Sequence, residues 1–442
     1  MRASCDISVI VVSRDRAQDL RKMLSCLRFQ DISGFETIVV TNTPAALEGA
    51  DYPHPLRLFD CDEANISTAR NVGLSAAKGK LVAFCDDDAL PDPSWLRRLL
   101  TPFSDPAIGG TGGFTRGRNG ISLQWGAVET DETGEAHPLG IAADSAVVTF
   151  PPSKNSAPVM IGTNCAFRAA ALRQIGGFDP AFAYYLDDSD ISLRLSKAGW
   201  YLAIVPKAQV HHGFASGPYR LQNRVPKTLR PHGVSKAVFC RKHASEAALA
   251  PALRQFEKLQ FARLEKQMLA GLMEPAVLPA LINTLKAGYE AGQNMAVRPV
   301  ATGPRPPHAA PVQLSRLDRP HVLLAGRQRD KAALKNLGES LAAEGVITTV
   351  LALSRSPAFM QVRFAAGGYW QHCGGQYGKS ARTAPLFRPK SFKDKVKAEI
   401  ERLHSIRPVT YVTTLAKPLG GAIILPQTHN ISCLNGLVVE VI

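Results

Sequence analysis

Apolar and polar positions fall into blocks along the first half of the chain, and the blocks separate strands from helices. Residues 7–12 (ISVIVV) and 81–84 (LVAF) are unbroken apolar runs of strand length, the pattern of strands covered on both faces. Between them Leu20, Met23, Leu24 and Leu27 recur at i, i+3, i+4 and i+7, which predicts a helix over 17–28. Further strands are predicted at 36–40 and 56–59, and a second helix over 65–77, stopped by Gly79. Strands alternating with helices predict an α/β fold whose parallel sheet opens a ligand crevice at its carboxyl edge. A strand at 160–167, a helix over 187–198 with Ile191, Leu195 and Ala198 on one face, and a strand at 201–205 continue the pattern.

Beyond 220 the pattern changes. Arg220, Arg224, Lys227, Arg230, Lys236, Arg241 and Lys242 form a basic segment, and Leu253, Phe256, Leu264 and Met268 predict a long helix over 251–272. Glu257 and Glu265 dilute its basic face, so it reads as a solvated packing helix rather than one lying on anionic lipid. Prolines at 299, 304, 306, 307, 311 and 320 mark a linker. Strands at 321–325, 346–353 and 409–414 and helices over 330–344 and 392–404 then predict a second, smaller Rossmann-like α/β lobe. The expected segmentation is a domain at 1–225, a helical extension at 226–297, a linker at 298–320 and a small α/β domain at 321–442. GGQYGKS at 374–380 mimics a phosphate-binding loop, but Cys373 stands where that motif needs glycine and no apolar strand is read before it, so no ATP site is expected.

Composition narrows the partners. The net charge of +15 over 442 residues calls for something anionic, whether a nucleoside diphosphate or a membrane surface. A basic stretch interleaved with aromatic residues is absent, so no nucleic acid is expected. No run reaches the roughly 18 to 20 apolar residues of a membrane span, and the expected location is the cytoplasm, with peripheral contact at the inner face of an anionic membrane. Eight cysteines without a CxxC pair predict reduced thiols and no zinc site.

The candidate chemistry sits where the 81–84 run ends, in Asp86, Asp87 and Asp88. Alternation along a strand puts Asp86 and Asp88 on one side and Asp87 on the other. Two hard oxygen ligands on one side suit Mn²⁺ or Mg²⁺. A lone Asp here could equally cap a turn, and Pro91, Pro93 and Ser94 do announce a helix start. Three in a row repel one another, and a counter-cation is the simpler account.

Five segments taken together, SVIVVSRDR, TIVVTNT, NISTARNVGLSAAKGKLVAFCDDDALPDPSWL, IGTNCAFRAAALRQIGGFDPAFAYYLDDSDISLRLSKAGW and VPKAQVHH, resemble a family 2 glycosyltransferase of the GT-A fold over about residues 5–220. The resemblance implies a Rossmann-like mixed sheet flanked by helices. It implies inverting transfer of a sugar from a nucleoside diphosphate donor, most simply a UDP-sugar, to a hydroxyl of a glycan or lipid-linked acceptor in cell-surface polysaccharide synthesis. Position by position, it assigns the catalytic base to Asp188 and metal ligation to Asp86, Asp88 and His212, with His211 the alternative. Ser13, Asp15, Arg70, Asn71, Asp86 and Asp87 fall to the donor. Thr41 stands where the family often has a base-reading Asp, and Val12 and Arg14 replace its usual Pro and Tyr, which leaves the nucleobase open. The second lobe distantly resembles the first half of a GT-B glycosyltransferase. A nucleotidyltransferase, or a scaffold carrying a silent transferase domain, are the rival readings.

Overall fold

The computed structural model describes residues 6–47, 52, 54–215, 217–299, 312, 314–414 and 439–441. Most of the predicted linker and the stretch 415–438 of the last segment lie outside the described residues.

The chain opens with β1 (Ile7–Ser13), α1 (Ala17–Leu27), β2 (Phe35–Thr41), β3 (Leu56–Asp60), α2 (Ile66–Ala76) and β4 (Leu81–Cys85). Past the carboxylates come β5 (Ala89–Pro91), α3 (Trp95–Leu100), β6 (Ile108–Arg116), β7 (Leu123–Trp125), β8 (Val128–Asp131), β9 (Ala136–Pro138), β10 (Val148–Phe150), β11 (Ser156–Pro158) and β12 (Asn164–Arg168). Helices α4 (Ala169–Gln174) and α5 (Asp187–Lys197) and the long strand β13 (Tyr201–His212) follow. The main sheet has the order β10-β13-β6-β12-β4-β1-β2-β3. β1, β2, β3 and β4 run parallel. β12 is antiparallel to both β4 and β6, and β13 is parallel to β6. Hence β4, β6 and β13 end at the same edge, which gathers their carboxyl termini.

Strand periodicity divides the core. Val9, Val11, Leu81 and Ala83 face one apolar cluster with α1 and α3, while Ile10, Ile38, Val82 and Phe84 face another with α2, α4 and α5. The mixed sheet with helices on both faces is the architecture the resemblance implied. Three details differ from the sequence pattern. Strand β6, IGGTGGFTR, is missed by propensity because four glycines replace β-branched residues; at Gly113 a Cβ would sit 2.2 Å from the Ala208 carbonyl oxygen. β12 begins at Asn164 rather than 160, because residues 160–163 turn toward the carboxylates. β13 does not stop at 205: Pro206 opens a register shift between Val205 and Gln209, and pairing resumes to His211.

The helical segment comprises α6 (Arg230–His243), α7 (Glu246–Leu269) and α8 (Val277–Asn294). The helix expected from 251 starts at Glu246 and carries Pro251 in its second turn, at the loss of one backbone hydrogen bond. Several cations of the basic segment are spent internally, Arg241 among them on the Gly292 and Met295 carbonyls. Lys242 Nζ lies 2.7 Å from Asp179 and 2.9 Å from Asp190, and Lys236 donates to the Thr133 carbonyl. No helix among the described residues is long and apolar enough to cross a membrane.

The second lobe contains β14 (His321–Arg327), α9 (Lys331–Ala343), β15 (Ile347–Ser354), β16 (Gln361–Phe364), β17 (Trp370–Gly375), α10 (Phe392–His404), β18 (Tyr411–Thr414) and β19 (Val439–Val441). Its sheet order is β16-β17-β15-β14-β18-β19, with the middle four strands parallel. β17 does run into GGQYGKS, contrary to the pattern, but the turn holds the buried Lys395, whose Nζ donates to Gly378 O at 2.9 Å. The lobe is separated in sequence yet not in packing. One apolar cluster runs from Val9, Leu24 and Phe29 to Val322, Leu341 and Trp370. Buried polar contacts join the same surfaces, Arg407 to Asp92 at 3.0 Å and Ser94 Oγ to Ile406 O at 2.6 Å, and a backbone bond from Val362 N to Asn119 O at 2.9 Å adds to them.

Candidate active site

The end of β4 is where the sheet edge becomes chemical. Beyond Cys85 the chain turns, Ala89 N bonding back to Asp86 O at 3.1 Å, and enters β5, which pairs with the end of β13 so that His212 faces Ala89. This pairing brings Asp86, Asp88 and His212 together, one ligand atom from each lying within 4.8 Å of the others. His212 Nε2 is 3.0 Å from Asp88 Oδ1 and 3.9 Å from Asp86 Oδ2. Its Nδ1 is 3.1 Å from Gln124 Oε1. When Nδ1–H donates to Gln124, the Nε2 lone pair is left for a metal. Asp88 is further held by Ala215 N at 2.7 Å and Arg16 at 3.5 Å. Burial pushes its carboxyl up, but His212, the Ala215 N–H and Arg16 prevail and hold it below the usual range. Two carboxylates and an imidazole, mostly shielded from water, fit Mn²⁺ or Mg²⁺ with phosphate oxygens completing the shell.

The other predicted residues divide. Asp87 has partners of its own outside this cluster, placed by the turn that follows β4 rather than by a continuing strand: it is buried with Ser13 Oγ at 2.7 Å and Arg16 at 3.0 Å. Burial outweighs Arg16 and pushes Asp87 up to about 8. Ser13 and Asp87 thus satisfy each other beneath the cleft. Asp15 has a left-handed backbone (φ 55°) and is tied to Asn42 at 2.8 Å, at the exposed mouth of β1. Asn71 commits both ends of its amide to Phe178, at 2.7 and 2.9 Å, and so anchors the GGFD turn. His211 turns from the cluster to Asp92 (3.3 Å) and to the Trp370 ring (4.6 Å).

Arg70 links the two acidic groups. It is buried, pairs with Asp187, and reaches Asp86 at 3.7 Å. Gly162 makes room for it, since a Cβ there would lie 2.3 Å from the guanidinium. Asp187 is therefore occupied, and so is Asp190, which lies 2.6 Å from Arg194 and 2.9 Å from both Lys242 and His243. Asp188 forms no close ion pair among the described residues; Arg70 acts on it only at longer range and is committed to Asp187. It is half-buried, accepts Ser189 N at 2.8 Å, and follows Leu186, which starts α5 in a left-handed conformation (φ 64°). Burial, then the adjacent Asp187 charge, raise Asp188 to about 7, a value matched to proton abstraction near neutrality.

Several functional candidates escape the sequence pattern. Thr163 Oγ1 donates to Asp86 at 2.6 Å, Arg16 bridges Asp87 and Asp88, and Gln124 orients His212. Past His212, Arg118 donates to Gly213 O at 2.8 Å, while Arg220 and Arg224 lie 4.7 and 4.2 Å from the centre of the Phe214 ring. None of these three arginines has a carboxylate partner among the described residues. The SRDR sequence could have flagged Arg16 as a carboxylate partner; Gln124, on a three-residue strand, gives no such signal.

The chain is similar in sequence to known glycosyltransferases. It is 27% identical over 224 residues to the pre-mycofactocin glycosyltransferase of Mycobacterium tuberculosis, covering 47% of this chain and 42% of that one. It is 29% identical over 231 residues to the O-antigen biosynthesis protein RfbC of Myxococcus xanthus, covering 49% and 18%. The chain thus spans less than half the length of these relatives. Among solved structures, S. aureus TarS 1-349 in complex with UDP-GlcNAc is 17% identical with a TM-score of 0.42, covering 65% of this chain and 81% of that one. GalNAc-T7 with UDP, GalNAc and Mn²⁺ is 17% identical with a TM-score of 0.38, covering 54% and 48%. Residues 5–230, more than half of the chain, match the family described as glycosyltransferase like family 2, and the chain belongs to that family.

Proposed function

We propose that the protein transfers a sugar, with inversion, from a nucleoside diphosphate donor to a hydroxyl of a glycan or lipid-linked acceptor in cell-surface polysaccharide synthesis. The observation that carries this reading is the convergence of Asp86, Asp88 and His212 at the carboxyl edge of the sheet, with Asp188 the carboxylate near it that forms no close ion pair among the described residues. Asp86, Asp88 and His212 would hold Mn²⁺ or Mg²⁺, which when bound neutralises charge developing on the departing diphosphate. Asp188 accepts the proton of the acceptor hydroxyl as its oxygen bonds to the anomeric carbon. The bond from that carbon to the phosphate oxygen breaks, and the diphosphate leaves with the electron pair. Arg118, Arg220 and Arg224 add positive charge beside Gly213 and Phe214, on the side where an anionic leaving group would lie. A UDP-sugar is the donor of first choice, supported by the family; Thr41 leaves the base to be read by other contacts.

The test is incubation with a panel of nucleotide sugars and Mn²⁺, assayed for free nucleoside diphosphate. Release from one donor, abolished by EDTA, is expected. Pyrophosphate released from a nucleoside triphosphate would instead mark a nucleotidyltransferase, and tight donor binding without turnover would mark a scaffold.

A further inference from the structure

The second lobe carries an exposed surface that the transfer reaction does not use. At the carboxyl edge of its sheet, Phe359, Leu386 and Phe387 are 55%, 64% and 57% exposed. They belong to one patch. Lys379 Nζ lies 4.9 Å from the centre of the Phe359 ring, the Tyr377 and Phe387 rings are 5.6 Å apart, and Arg388 N donates to Tyr377 O at 2.9 Å. Lys379, Arg382 and Arg388 form no ion pair with a carboxylate among the described residues, while Lys390 lies within electrostatic reach of Asp394. Arg382 and Arg388 are exposed. Large apolar side chains ringed by unpaired cations are the surface chemistry of a protein resting on an anionic bilayer, with rings at the headgroup boundary and cations toward the phosphates. A nucleic acid would use the cations and could stack on the rings, but it would gain little from the aliphatic Leu386 exposed beside them.

The position of the patch agrees. Val362, at the start of β16, bonds to Asn119 in the turn between β6 and β7. The neighbouring Arg118 holds Gly213 beside the carboxylate cluster. The β6–β7 turn therefore touches both the strand that follows Phe359 and the segment that follows His212. A bilayer touching the patch would lie next to the cleft, where a lipid-linked acceptor would need it.

We propose that Phe359, Leu386 and Phe387, with the surrounding cations, dock the protein on an anionic lipid bilayer. The test uses the full chain without donor, so it stands apart from the transferase reading. Co-sedimentation is measured with phosphatidylcholine vesicles, pure or containing about a third phosphatidylglycerol. Binding to the mixed vesicles only, weakened by salt, is expected. Arg382→Gln with Arg388→Gln should lower the partition coefficient roughly 25-fold, about fivefold per cation. Leu386→Ser with Phe387→Ser should lower it at least tenfold, with the melting temperature unchanged because both side chains are exposed. The inference is overturned if the wild-type chain ignores anionic vesicles. Equal binding by the serine variant overturns it too, since a soluble polyanion would then satisfy the cations. A wild-type dimer that the serine variant converts to monomer would show a second copy covering the patch, and likewise overturns it.

Discussion

Replacing Arg407 tests whether the two lobes fold as one unit. Its guanidinium is fully buried between them: Nε and Nη2 both reach Asp92 Oδ1 at 3.0 Å, Nη1 reaches Thr349 Oγ1 at 3.1 Å, and the group lies 4.0 Å from the centre of the Trp370 ring. The partners do not gain equally. Burial outweighs Asp92 and pulls Arg407 down to about 10, whereas Arg407 and His211 outweigh burial and hold Asp92 at about 2. The intact pair therefore adds little net stability, because desolvation offsets much of the attraction. Removing one member is a different matter. Arg407→Met keeps much of the volume but leaves the buried Asp92 carboxylate with only His211 at 3.3 Å, a loss expected to be about 3–5 kcal/mol. Adding Asp92→Asn removes the stranded charge and should restore a large part of it. Urea unfolding followed by tryptophan fluorescence reports on both lobes, through Trp95 in the first and Trp370 in the second. A single transition that shifts as a whole is expected. Two transitions of which only one moves, or a loss below about 1 kcal/mol, would refute the reasoning. The pH dependence has a definite sign. The folded Asp92 value lies below its unfolded value of about 3.9, so its contribution is complete above about pH 4 and is lost as pH falls through about 2. The double variant should lack that acid-side loss.

Asp188→Asn should lower kcat by roughly 10²- to 10⁴-fold while leaving donor KM in place; a change in donor affinity at constant kcat would move Asp188 to the donor site. As a base that must be deprotonated, wild-type Asp188 should make kcat rise with pH through about 7 and level above it, and a flat profile across that range would remove it from the role. Asp88→Asn should abolish most turnover at any Mn²⁺ concentration, and full wild-type activity in EDTA would exclude the metal site altogether. Gln124→Leu should weaken Mn²⁺ binding about 10- to 100-fold in a direct titration, because His212 loses the acceptor that fixes its ring; unchanged affinity would show that another group orients the imidazole.

The strands and helices around the cluster were legible because their signals are local. β1 and β4 are apolar runs and α1 repeats at 3.6; the grouping of Asp86 with Asp88 was expected from strand alternation, but it is the turn after Cys85 that produces it. His212 needed the resemblance, since nothing in HH itself chooses between neighbours; strand pairing with β5 does. β6 was illegible because its residues are selected for close approach rather than for β propensity. The union of the lobes was illegible for a different reason: Asp92 and Arg407 are 315 positions apart, and neither lies in a motif that announces the other. Asp188 was readable as one of three acidic residues in a first turn, but its distinction from Asp187 and Asp190 depends on where Arg70, Lys242 and His243 come to rest.

Consecutive residues of β13 face different worlds, His212 the carboxylate cluster and His211 the ring of Trp370, and a stiff extended backbone cannot displace one without tilting the other. The second lobe is therefore placed to adjust the cleft without touching it. A mutagenesis screen for altered metal preference would then return hits at Trp370 and Thr349 as well as in the cleft, and a lineage of such enzymes could drift in cation use through repacking around His211 rather than around the carboxylates.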